Sequence, residues 1–126
     1  GDRKIHWQIT REGKVRFGIA GTGKEHHTDN DSPVLFTPER FGRWIHLAVV
    51  FDPTRREVRH YADGDLISRN ALKDVSPLKL GMAELGNWND HRGNGGVAIR
   101  YLSGAMDEFA LWDRVLTDAE IARLAR

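Results

Sequence analysis

The chain has 126 residues, 40% of them hydrophobic and 29% charged, which suits one soluble globular domain of roughly 100–200 residues and excludes a disordered tail. No apolar run approaches the ~20 residues that a bilayer span requires, so no membrane insertion is expected of this segment. Nineteen Lys and Arg oppose eighteen Asp and Glu, a net charge of +1, and cysteine is absent; nucleic acid is therefore not an expected partner, and disulfides, thiol nucleophiles and Cys-bound zinc are excluded.

The first half reads as short strands separated by turns. Lys4 to Thr10 alternates in part, Arg11-Glu12-Gly13-Lys14 is a polar turn, and Val15-Arg16-Phe17-Gly18-Ile19 places Val, Phe and Ile on one face. Together they predict a hairpin. Gly21 to Ser32 is polar with neither helical nor strand periodicity, which predicts a surface loop. Val34-Leu35-Phe36 then reads as a short strand and Thr37 to Arg40 as a turn.

Trp44 to Phe51 is the strongest strand signal: eight residues, nearly all apolar, rich in β-branched and aromatic types, with Trp44 expected in the core. Asp52 to Arg56 turns the chain, Glu57 to Ala62 returns antiparallel, and Asp63-Gly64 fits a two-residue turn that needs positive φ at both positions. Leu66 to Arg69 continues the meander. Leu78 to Gly81 and Tyr101 to Trp112 complete the predicted strands, with the glycine-rich polar stretch Glu84 to Gly96 between them.

At the end the period changes. Thr117-Asp118-Ala119-Glu120 is a capping box and Leu116 is placed to staple onto Ile121. A short helix from Asp118 to about Leu124 is predicted, with Ile121 and Leu124 facing the sheets. The whole reads as an all-β antiparallel sandwich with one short C-terminal helix.

Three segments carry a resemblance. Trp44-Ile45-His46 through Phe51-Asp52, followed by His60-Tyr61-Ala62-Asp63-Gly64, resembles the central hairpin of LamG-like jelly-roll domains. Leu78-Lys79-Leu80-Gly81 resembles their next strand, and Leu102 to Ile121 resembles the closing strand and helix shared by LamG-like and pentraxin-like members of the concanavalin A-like superfamily. The resemblance implies one jelly-roll domain over residues 1–126 without the strands that family members carry ahead of Ile5, and so either a C-terminal piece of a larger protein or a sandwich that is reduced or completed by a neighbouring chain. It further implies a binding or interaction module, periplasmic or secreted, with carbohydrate or protein as ligand, no required cofactor, and calcium as an allowed ion. Attachment to FecR-type membrane-anchored regulators is one context for such modules, and an open sheet edge would invite a homodimer.

Enzymatic chemistry finds little support. Glycan cleavage on this fold needs acidic residues on one strand face, and no Glu-x-Asp-x-x-Glu occurs; Asp107 and Glu108 are adjacent and would point to opposite faces. Their expected role is to pair with arginines such as Arg114. The few serines lack a nucleophile-elbow context. His26, His27, Asp29 and Asp31 crowd one segment and offer nitrogen and oxygen donors for a divalent ion, against the plainer reading of a solvated loop. Asn87, Trp88, Asn89, Asp90 and His91 offer an aromatic face beside amide and carboxylate groups, suited to sugar stacking and hydroxyl recognition.

Overall fold

A computed structural model describes residues 4–21, 27–81, 83, 85–88 and 100–126. They fall into two compact units, Gly1–Lys79 with Trp112–Arg126, and Leu80–Leu111.

In the larger unit β1 (Lys4–Ile9) and β2 (Lys14–Ala20) form the predicted hairpin, in register from Lys4 opposite Ala20 to Ile9 opposite Val15. Its turn closes because Gly13 takes φ 83°, where an added Cβ would lie 2.3 Å from the Phe36 carbonyl oxygen. Val15, Phe17 and Ile19 are all buried, as their alternation predicts.

β3 (Thr28–Val34) pairs with β2 and corrects the expected loop over Gly21 to Ser32 at its Thr28 to Ser32 end; Gly21 and His27 lie outside any strand, and residues 22–26 lie outside the described residues. Polar residues sustain this strand because their side chains satisfy the neighbouring backbone. Asn30 Nδ2 donates to the Phe17 carbonyl at 3.1 Å, and the Ser32 hydroxyl accepts the Val15 N–H at 2.9 Å where the β2–β3 register shifts. The expected strand Val34 to Phe36 ends at Val34 instead, since the Leu35 and Phe36 amides both turn to the Gly13 carbonyl at 2.9 Å.

The second sheet has the order β4 (Leu47–Asp52), β5 (Glu57–Ala62), β6 (Asp65–Ala71). Asp63 and Gly64 take φ 50° and 84°, as the turn between β5 and β6 requires. β4 begins three residues later than its apolar run. The His46 backbone is held by Asp63, whose Oδ1 accepts the His46 N–H at 3.0 Å and whose own N–H reaches the His46 carbonyl at 2.8 Å. Trp44 is left outside the ladder, 72% exposed, so its expected place in the core is corrected.

Alternation along β4 and β5 separates two faces. Val49, Phe51 and Val58 pack on Phe17, Ile19 and Ile5 of the first sheet, while Val50 and Tyr61 pack on Leu116 and Ile121. The second sheet is thus a middle layer, with the first sheet on one side and the C-terminal segment on the other. α1 (Asp118–Leu124) starts with the predicted capping box, the Thr117 hydroxyl accepting the Glu120 N–H at 3.2 Å. Ile121 is buried but Leu124 is exposed, a correction to the predicted facing. The helix instead turns Ala122 and Ala125 toward Gly64, and at 100° per residue Leu124 is rotated off that contact face. The partner of Arg114 is Glu120, 2.6 Å away.

In Leu80–Leu111, β7 (Asn87–Trp88) pairs antiparallel with β8 (Arg100–Tyr101), and the Leu102 N–H extends the contact to the Gly86 carbonyl at 2.7 Å. The predicted long strand from Tyr101 to Trp112 does not continue past β8. Glu108 takes φ 52° with its amide bonded to Asp107 Oδ1 at 2.8 Å, a local turn incompatible with extended backbone. Residues 78–81 also lie outside any strand: Pro77 supplies no amide donor, and Leu78 packs on the core whereas Leu80 is exposed.

Candidate functional site

The predicted metal-binding segment lies along the outer face of β1 to β3. Arg16 is opposite Asp31, and His6 and Asp29 both stand opposite Gly18, whose missing side chain leaves room for the His6 ring. Arg16 grips Asp31 with two bonds, Nε to Oδ1 at 2.7 Å and Nη2 to Oδ2 at 2.9 Å, and its Nη1 lies 3.3 Å from Asp29 Oδ2. His27 Nε2 is 3.0 Å from Asp29 Oδ1, and the His6 and His27 rings stack with centroids 6.0 Å apart. The Arg16 bonds hold the Asp31 carboxyl below the usual carboxylate range, and burial pushes His6 below its ordinary value against the pull of Asp29. A calcium ion at Asp29 and Asp31 would have to displace a guanidinium already neutralising both. No group of three potential metal ligands is arranged to hold an ion among the described residues, and His26 lies outside them.

Of the predicted sugar-binding stretch, Asn87 and Trp88 form β7, fixed by pairing with Tyr101 and Arg100. Asn89, Asp90 and His91 lie outside the described residues.

A third place was not singled out by sequence reasoning. Thr37 and Pro38 start one 3-10 turn, Pro38–Arg40, after which Phe41, Gly42 and Arg43 lead to Trp44 and the start of β4. Gly42 takes φ 76° with open space around it, so the turn stands clear of the sheet. Phe41 is 67% exposed and Trp44 72%, a local concentration of aromatic surface that marks interaction sites in soluble proteins. Arg40, Arg43, Trp44, Ile45 and Asp63 line a hollow of about 280 Å³. Among the described residues no carboxylate lies within ion-pair distance of Arg40 or Arg43. The base is rigid, because both backbone groups of His46 are bonded to Asp63. A chemical signal for this place was present in the sequence: Arg-Phe-Gly-Arg-Trp interleaves two cations and two aromatics around a turn glycine. It was hidden because Trp44 continues the apolar run of β4 without a break.

The arrangement combines an open indole face, two unpaired guanidinium groups and one carboxylate. Such a set binds by stacking and by charge-assisted hydrogen bonds. It contains no nucleophile with an adjacent base.

Comparison with solved structures places this chain beside a crystal structure of an S-layer domain-containing protein (residues 221–444) from Clostridium thermocellum, at 23% identity and TM-score 0.46. The alignment covers all of this chain and 58% of that one. No match was found among curated proteins. A family profile for the concanavalin A-like lectin/glucanases superfamily, of the third laminin-G type, matches residues 1–122. With two antiparallel sheets packed face to face and a capped C-terminal helix already in view, the chain belongs to the laminin-G-type family of the concanavalin A-like lectin/glucanases superfamily.

Proposed function

We propose that this domain is a non-enzymatic recognition module of a larger extracytoplasmic protein and that it binds carbohydrate at the hollow beside Trp44. The observation that carries the reading is the exposed Trp44 indole, held on a rigid base next to Arg40, Arg43 and Asp63. An aromatic face stacks on the C–H face of a pyranose while flanking charged groups bond its hydroxyls, and neither contact needs a cofactor. Support for a non-catalytic role comes from the carboxylates themselves. Asp29 and Asp31 are paired with Arg16, Asp52 and Glu57 with Arg59, and Glu120 with Arg114, which leaves these five committed to structure.

The test is a glycan array probed with the folded domain. Binding should weaken at least about tenfold in Trp44→Ala, the loss expected when an aromatic anchor of at least ~1.4 kcal/mol is removed. Trp88→Ala tests the competing placement at Asn87 to His91. A well-folded domain that binds no glycan would sink the carbohydrate reading.

A second reading is favoured by the first sheet. Its order β1-β2-β3 leaves the outer edge of β1 without a strand neighbour among the described residues, and Trp7 and Ile9 on that strand are 39% and 43% exposed. On this reading the domain is a structural accessory, self-associating through the open edge or positioned within a membrane-anchored protein of the FecR type.

A further inference from the structure

We infer that the hollow beside Trp44 selects an anionic saccharide, one carrying carboxylate or sulfate groups, and this rests on the carbohydrate reading above. The chain as a whole is nearly neutral, at +1, yet two guanidinium groups and a single carboxylate line this hollow. That carboxylate is partly spent, because Asp63 Oδ1 already accepts the His46 N–H. The lining of the hollow therefore carries an excess of positive charge, although Glu39 stands beside Arg40 in the same turn, and the low-dielectric faces of Trp44 and Ile45 sharpen its field. Guanidinium groups present planar forks that match carboxylate and sulfate oxygens in pairs. Arg40 and Arg43 stand on either side of Phe41-Gly42, at the turn where φ is 76° and nothing lies within 4 Å of an added Cβ on the glycine, and both line the hollow together with the Trp44 indole. A neutral sugar would use the stacking surface and leave two cations unanswered.

The same observations disfavour an acidic peptide. Extended peptides bind by adding a strand to free backbone groups, and here the His46 N–H and C=O are both occupied by Asp63. At about 280 Å³ the hollow is also at the small end of ligand sites, suited to one ring and its substituent.

The experiment measures binding of the whole 126-residue chain to oligogalacturonate, dextran sulfate, neutral dextran and poly-glutamate by titration calorimetry. Wild type, Arg40→Gln/Arg43→Gln and Trp44→Ala are compared, each first checked for an unchanged thermal melt; if a variant melts early, charge reversal at Arg43 alone, Arg43→Glu, replaces it. The expected result is binding to oligogalacturonate or dextran sulfate that falls at least about tenfold in the double arginine variant and weakens as NaCl rises from about 50 to about 500 mM. Which anion binds then tells carboxylate from sulfate. Glycan binding that needs Trp44 but is unchanged in the arginine variant overturns the selectivity while leaving the carbohydrate reading intact. Binding of poly-glutamate with no binding of any saccharide overturns both.

Discussion

Arg59 lies on the face of β5 turned toward the C-terminal segment, 3% exposed, and each nitrogen of its guanidinium has a partner. Nε donates to the Tyr61 hydroxyl at 2.8 Å, Nη1 to Asp52 at 2.8 Å and Glu57 at 3.1 Å, and Nη2 to the Leu116 carbonyl at 3.3 Å; Tyr61 in turn donates to Asp118. Burial works against the Asp52 charge, but bonds from the Arg55 amide and Arg59 outweigh it and hold that carboxyl below its usual value. Removing Arg59 leaves the buried Asp52 carboxylate and the Leu116 carbonyl without their cation, and Glu57 with only the more exposed Arg69 at 3.6 Å, so Arg59→Ala should cost about 3–5 kcal/mol in urea unfolding. A loss below about 0.5 kcal/mol, the range of ordinary surface changes, would show that the network is not structural. Nothing in Glu57-Val58-Arg59 distinguishes this arginine from a solvent-facing one, because the alternation is that of a one-sided sheet. Only the third layer, contributed from 57 residues further along the chain, makes the outward face an inner one.

His60, on the opposite face of β5, is 1% exposed and its Nε2 lies 3.0 Å from the Asn30 carbonyl. Burial pushes its pKa below 6.5, against the opposing pull of that carbonyl and of Asp31. The unfolded chain therefore binds the proton first as pH falls, so stability is full above about pH 6.5 and declines from there toward the lowered folded value. Unfolding free energy should fall between pH 7.5 and pH 5.5 and should fall less in His60→Gln. An identical pH dependence in the two proteins would contradict this assignment. Composition does not reveal which neighbours will desolvate His60, so its burial is not legible in the sequence.

At the scale of elements, the legible parts were those whose signal is local. The hairpin of β1 and β2, the Asp63-Gly64 turn and the capping box of α1 each rest on residues within a few positions of one another. β3 was illegible because its inward side chains, Thr28, Asn30 and Ser32, are polar. Asn30 and Ser32 are stable there through bonds to β2, and the strand is further held by contacts such as Asn70 Nδ2 to the Asp31 carbonyl at 3.0 Å, from 39 residues away, whereas the buried Thr28 hydroxyl has no such partner among the described residues. The edge of β1 is the element-scale liability. If Trp7 and Ile9 pair with a second copy, sedimentation equilibrium should show a mass that rises with concentration and returns toward monomer in Trp7→Lys, a charge that blunts an edge. A monomer mass independent of concentration would rule out the self-association reading.

For the whole molecule, the class of fold was readable and the exposed hollow beside Trp44 was not. Strand count, turn spacing and the closing segment all belong to a family whose profile spans residues 1–122. The site depends on where β4 starts, and that is decided by Asp63 capturing the His46 backbone across 17 residues. The measurement that tests this most directly is an amide shift map of the ¹⁵N-labelled domain during titration with the acidic oligosaccharide. Binding at the Trp44 hollow should give saturable shifts concentrated at Arg40 to His46 and at Asp63 and Gly64. Shifts confined to Asn87 and Trp88, or to the Arg16 and Asp31 face, with the Trp44 segment unmoved, would contradict it.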